Sequence, residues 1–207
     1  MKGLCRFLRH QGAAGAAEFA LILPVALLFL LGLIDVGRYT WAFNQQEKAT
    51  QVGARWAAVT DTIPGVLRTY SFAVDAGITQ GTVVPIGAFP GMVCTSSNGV
   101  VSCTCKGGSS APNFCNAIAP DQAAFDRLAQ HMFDTYPGIA ADNIRVDYDW
   151  SGLGFSGDPV GPDVQPLITV SIVNKRFPLW FMLGRTVPIP TTHYTITAED
   201  GQGTFSY

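Results

Sequence analysis

The chain has 207 residues, 48% of them hydrophobic and 14% charged, with 13 Lys and Arg against 15 Asp and Glu for a formal net charge of −2. This balance leaves no basic excess for a nucleic-acid surface, and the composition is that of a globular protein rich in Gly and Pro. No internal repeat and no long low-complexity tract is visible.

From Ala13 to Ile34 the sequence is almost uninterruptedly apolar, with Glu18 its one charge. At about 1.5 Å per residue, roughly twenty such residues match a hydrocarbon layer of about 30 Å, so residues 13–34 are predicted to span a membrane. Pro24 and Gly32 are compatible with a spanning helix. Lys2, Arg6 and Arg9 precede the run, so residues 1–12 are expected in the cytoplasm and everything after Ile34 on the exported side. A cleaved signal peptide is the rival reading. The apolar part is longer than a signal core, however, and Ile34, Asp35, Val36, Gly37 and Arg38 contain no small-x-small site. A retained single-pass anchor is expected.

Beyond the span, Val36, Tyr39, Phe43, Ala49, Val52 and Trp56 recur mostly at helical spacing. They predict a helical stalk over residues 35–63, ended by Pro64 and Gly65. Residues 64–207 then form the exported domain, since about 170 residues past the span suffice for one domain with a core. Thr82 to Ile86 reads as a short strand.

Five cysteines are present: Cys5 before the span, and Cys94, Cys103, Cys105 and Cys115 after it. An even set on the exported side points to disulfides. Asn98 and Gly99 suit a two-residue type I′ turn, and counting outward from it places Ser97 opposite Val100 and Cys94 opposite Cys103. That pair falls at a non-hydrogen-bonded site where Cα atoms approach to about 4.5 Å, within disulfide reach. Cys94 is therefore expected to join Cys103, and by elimination Cys105 to join Cys115. A metal is the other use of a Cys-x-Cys element, but the paired Cys-x-x-Cys spacing of a structural zinc site is lacking.

Pro120 and Asp121 mark a helix entry. Ala124, Phe125, Leu128, Met132 and Phe133 then form an apolar stripe along residues 122–136, stopped by Pro137 and Gly138. Strand patterns follow at Ile144 to Trp150, with Ile144, Val146, Tyr148 and Trp150 on one side, at Leu167 to Val173, and at His193 to Ala198. The fold class is α+β: a long N-terminal transmembrane and stalk helix, then a disulfide-stapled domain with an antiparallel sheet and a second helix. The apolar run Phe177 to Leu183 is too short to span and reads most simply as core. The other reading is an interface patch carried by Trp180 and Phe181 with Lys175, Arg176 and Arg185 around them.

Catalytic signatures are poor. His10, His131 and His193 lie far apart, Gly154 to Gly157 lacks the second spacer of a nucleophile elbow, and no phosphate loop occurs. Asp147 and Asp149 alternate along a strand and read as its solvated side. No enzyme activity, cofactor, metal or small-molecule substrate is expected.

The stretch from Gln11 through Gly12, Ala13, Gly15, Glu18, Phe19 and Ala20 to Leu23 and Pro24, followed by Gly37, Arg38 and the segment Ala54 to Ala58, resembles the TadE-like family of pseudopilins. The resemblance covers roughly the first sixty residues. It implies a pilin-like protein of the tight-adherence (Tad/Flp, type IVc) pilus machinery, working in adhesion, with the lipid bilayer, other pilins and Tad assembly proteins as partners. It also implies the inner membrane as location, with the exported domain periplasmic. The resemblance further implies that the chain can be cut by a prepilin peptidase near the start of the apolar segment, as family members can, with Glu at the fifth mature position. Here cleavage after Gly12 would put Glu18 sixth, and cleavage after Ala13 would put it fifth but with Ala before the cut, so Gly12, Ala13 and Glu18 are the candidate processing residues. Glu18 has two readings: a carboxylate at headgroup level favoured by the helix dipole, or a partner for a neighbouring subunit's amine.

Overall fold

The computed structural model describes residues 11–159, 161–181 and 184–199, and of residues 11–14 the backbone alone. Lys2, Cys5, Arg6, Arg9 and His10, and Met182 and Leu183 of the apolar run, lie outside the described residues. The observed class is α+β: a long N-terminal apolar helix, then an antiparallel sheet domain with a further helix and two disulfides.

Helix α1 runs without interruption over Gln11–Val59, with Pro24 inside it. Two short helices follow, α2 (Val66–Thr69) and α3 (Phe72–Asp75), then strands β1 (Met92–Ser97) and β2 (Val100–Cys105). Helix α4 (Gln122–Thr135) precedes β3 (Ile144–Asp149), β4 (Leu167–Ile172), β5 (Arg176–Pro178), β6 (Thr186–Pro188) and β7 (Thr192–Thr197). The chain divides into two compact units, Met1–Ala42 with Arg176–Pro188, and Phe43–Lys175 with Ile189–Tyr207.

In the second unit, five strands form one antiparallel sheet in the order β2-β1-β3-β4-β7. The pairings Met92 with Tyr148, Cys94 with Val146, Val146 with Val170, and Tyr148 with Ile168 place these residues on one face. Because side chains alternate with a period of two, this register keeps these apolar residues on the same face, and all of their side chains are buried. The β1-β2 turn has Asn98 at φ 52° and Gly99 at φ 77°, the left-handed pair that a type I′ turn needs. It brings Cys94 opposite Cys103, with Cα atoms 4.1 Å apart, and the two are joined. Cys105 is joined to Cys115 at a Cα separation of 5.8 Å.

Helix α4 starts at Asp121, whose side chain accepts the N–H of Ala124 and so satisfies one of the helix's unpaired donors. Ala124, Phe125, Leu128 and Met132 are buried as expected, but Phe133 is largely exposed. One residue on from Met132, it is turned about 100° from the stripe. With Ile139 and Ile144 it lines a surface hollow of about 310 Å³.

The second-unit part of α1 buries a face other than the one its large residues suggest. Ala49, Gly53, Ala54, Ala57 and Ala58 are buried, whereas Val52 and Trp56 flank them and remain partly exposed. Small residues let two backbones approach: a Cβ on Gly53 would sit 2.7 Å from Met132 Sδ. Beside it, Trp56 stacks on His131 with centroids 4.5 Å apart, which gives that histidine a packing role.

Two strand expectations fail. Thr82 to Ile86 forms no strand: Pro85 lacks an N–H, and the Val84 carbonyl accepts the indole N–H of Trp150 instead. Trp150 itself lies one residue past the end of β3 and is partly exposed. Conversely, the run Phe177 to Leu183 is not core as a block. Its described residues, 177–181, belong to a hairpin, β5 paired with β6, in which Phe177 is buried while Trp180 and Phe181 are exposed.

Candidate functional site

Helix α1 is the one helix among the described residues long and apolar enough to cross a membrane, and the apolar window is almost wholly uncovered by protein. Phe19, Leu21, Ile22, Val25, Leu28 and Phe29 all present their side chains outward. In water such a surface would be costly, so its exposure fits a single-pass membrane anchor. Glu18 lies on the same helix with an exposed side chain, and Gly12 and Ala13 are in its first turn.

The polar end of that surface is built within the first unit. Asp35 follows directly on Ile34, yet its side chain is only 1% exposed. A carboxylate taken out of water needs donors for its lone pairs, and three converge on it. Trp180 and Phe181 donate their backbone N–H groups at 3.1 and 2.9 Å, and Arg38 donates from one turn further along at 2.9 Å. The Arg38 guanidinium also lies over the ring of Trp180, 3.5 Å from its centroid, and 5.0 Å from that of Phe177. Tyr39 meets Phe177 edge-on at 5.8 Å, and its hydroxyl donates to the Pro188 carbonyl at 3.4 Å. Helix and hairpin thus flank an open, mainly apolar hollow of about 360 Å³ lined by Gly32, Asp35, Val36, Tyr39, Leu179 and Val187. Trp180 and Phe181 remain 67% and 40% exposed.

Sequence reasoning singled out Trp180 and Phe181 as an interface pair, but Asp35 entered it only as a residue of the segment that lacks a cleavage site, and Arg38 only there and in the family resemblance. The available signal was an Asp-x-x-Arg pair at the polar end of an apolar helix, spaced to meet on one face.

Residues 13–55 match the model of the TadE-like protein family. The family is the one that Gln11 to Pro24 resembles in sequence, and the TadE-like match ends inside α1, before the first strand. No curated protein and no solved structure matches the chain. The TadE-like segment therefore comprises the apolar helix with Asp35 and Arg38, while the hairpin that Asp35 holds lies outside it.

In the second unit the acidic pair on β3 proves structural in a way the alternating pattern concealed. Asp147 is not solvated but buried, and Arg145 and Lys106 both bind it, at 2.8 and 2.7 Å. Burial pushes its pKa up, but the bonds and charges of Arg145 and Lys106 outweigh that and hold it below the ordinary carboxylate value. Lys106 is also paired with Asp149 at 2.8 Å, and the two carboxylates raise its pKa against the effect of its own desolvation. Each of these charges is thus occupied by another, an arrangement that ties the residue following β2 to β3 across the intervening β1. Tyr148 is fully buried, its phenol pushed up by desolvation, and its oxygen accepts the N–H of Ile63 at 3.1 Å. Among the described residues no group of three or more His, Cys, Asp or Glu side chains is placed to hold a metal ion.

Proposed function

We propose that this chain is a membrane-anchored minor pseudopilin or assembly component of a Tad/Flp pilus system. The observation that carries this reading is the TadE-like match, which falls on the helix whose apolar surface is left uncovered. Residues 13–34 lie in the inner membrane, residues 35–63 form the stalk, and residues 64–207 form a periplasmic domain. The basic residues 1–12 stay in the cytoplasm in accord with the charge of Lys2, Arg6 and Arg9. Two disulfides suit an oxidising compartment for the domain. The work is packing rather than turnover: the helix lies beside pilin helices in the membrane or fibre base, where Glu18 is exposed for pairing with a neighbour.

The test is the mass of the mature N-terminal peptide from native membranes, with and without the host's prepilin peptidase. A peptidase-dependent cut after Gly12 or Ala13 supports the pseudopilin role and makes Glu18 a subunit-pairing residue. An intact N-terminus in both strains supports a permanent anchor at the base of the machine. A deletion strain that still made normal pili would sink the pilus reading and leave an anchored periplasmic scaffold.

A further inference from the structure

We infer that the β5-β6 hairpin is a second membrane contact, whose tip carries Trp180 and Phe181 into the headgroup layer beside the end of the anchor helix. The inference rests on the reading that residues 13–34 lie in lipid. Depth follows from the hydrogen bonds. Asp35 is the first residue after the apolar run, and its carboxylate holds the backbone N–H groups of Trp180 and Phe181 at 3.1 and 2.9 Å. At about 1.5 Å of rise per residue, those two residues sit within about one helical turn of the hydrocarbon boundary.

The chemistry of the tip suits that level. Tryptophan concentrates at the membrane–water boundary, where an amphipathic ring has apolar and polar surroundings at once. Trp180 is 67% exposed here, and Trp41, on the helix just above Asp35, is 61% exposed. Arg176 and Arg185, on the two arms of the hairpin, are exposed and offer guanidinium groups to lipid phosphates. One face of the Trp180 ring is taken by Arg38, so the side chain is held in place before any lipid arrives. The hollow behind the tip is lined mainly by apolar side chains, including Leu179 and Val187, as a surface adjoining acyl chains would be. The Asp35 clamp also explains why a carboxylate stands at this boundary. Its charge is met by Arg38 and two backbone donors, so it enters the interface already paired.

The experiment uses the full chain in vesicles of phosphatidylcholine and phosphatidylglycerol containing lipids brominated either near the headgroup or near the bilayer centre. The fluorescence of the wild type minus that of W180F isolates Trp180. A V25W variant, about 15 Å below Asp35 on the outward surface of α1, reports whether the span is in lipid. We expect shallow bromines to quench the Trp180 component by about half and deep ones much less, with the opposite order at V25W. Quenching at V25W without quenching of the Trp180 component overturns the hairpin contact and leaves that surface to a protein partner. Absence of quenching at V25W overturns the anchor reading itself. Both substitutions fall on exposed side chains, and intact disulfides on non-reducing gels certify the fold.

Discussion

The carboxylate of Asp35 accepts the backbone N–H of Phe181 at 2.9 Å, joining residues 146 positions apart. Asp35→Leu removes the acceptor for that N–H and for the Trp180 N–H, and leaves Arg38 without its carboxylate. The hairpin should detach from the helix, and tryptic cleavage after Arg176 and Arg185 should speed up on the order of tenfold as local opening becomes easier. Asp35→Asn, which keeps one acceptor oxygen, should fall between. Equal cleavage rates in all three proteins would show that the carboxylate does not hold the hairpin.

At Gly53, α1 packs closely on α4: an added Cβ would meet Met132 Sδ at 2.7 Å and Cγ at 2.8 Å. Met132 is wholly buried and has little room to retreat. Gly53→Leu should therefore destabilise the domain by about 1–3 kcal/mol through overpacking. Gly37→Ala, with nothing within 4 Å of the new Cβ, should be neutral or slightly favourable by helix propensity. Urea unfolding of the two variants in the same detergent compares them directly.

The disulfides close short loops, with sequence separations of 9 and 10. The chain-entropy relation puts each at about 2–3 kcal/mol. The Cys105–Cys115 bond also ties down the segment that carries Phe114, a wholly buried ring packed against Tyr70, Phe72 and Phe89. Replacing Cys105 and Cys115 together by Ser should loosen this cluster, so the drop in near-ultraviolet dichroism should exceed that of the Cys94 and Cys103 double variant. Peptide mapping of the oxidised protein should find Cys94 with Cys103. Recovery of Cys94 with Cys115 would refute the hairpin pairing.

Acid should weaken the domain. Ser96 Oγ donates to Asp142, the backbone N–H groups of Gly99 and Asn98 donate as well, and together they hold its pKa below the ordinary value. At Asp121 the Ala124 N–H does the same, against the effect of burial and with help from Arg68. A carboxylate with a folded pKa below its unfolded one binds more protons when unfolded, so its contribution is whole above about pH 4 and is lost as pH falls through the folded value. Thermal midpoints should be flat from neutrality to about pH 5 and then decline. Asp142→Asn should flatten part of that decline, and an unchanged acid limb in this variant would refute the assignment.

Several elements were legible because their causes are local. The apolar run to Ile34, the Asn98 and Gly99 turn, the Asp121 cap and the alternation of Ile144, Val146 and Tyr148 each declare themselves within a few neighbouring residues. The register that joins Cys94 to Cys103 follows from the turn alone, since pairing propagates outward from it. The candidate site was half legible: Trp180 and Phe181 stood out by size, but nothing near them in the chain names Asp35 as their acceptor.

What the sequence by itself determined is the long N-terminal apolar helix, the α+β class and the chemistry of the hairpin strands, because periodicity and turn residues act over a few positions. The tertiary structure decided which face of α1 is buried, since Gly53 and the alanines around it carry little hydrophobic signal and count only through the close approach they permit. It decided that Asp147 is a buried, twice-paired charge rather than a solvated one. It also decided the joining of Asp35 to Trp180 and Phe181, because a hydrogen bond across some 145 residues depends on where the fold brings the chain and leaves no trace in local pattern.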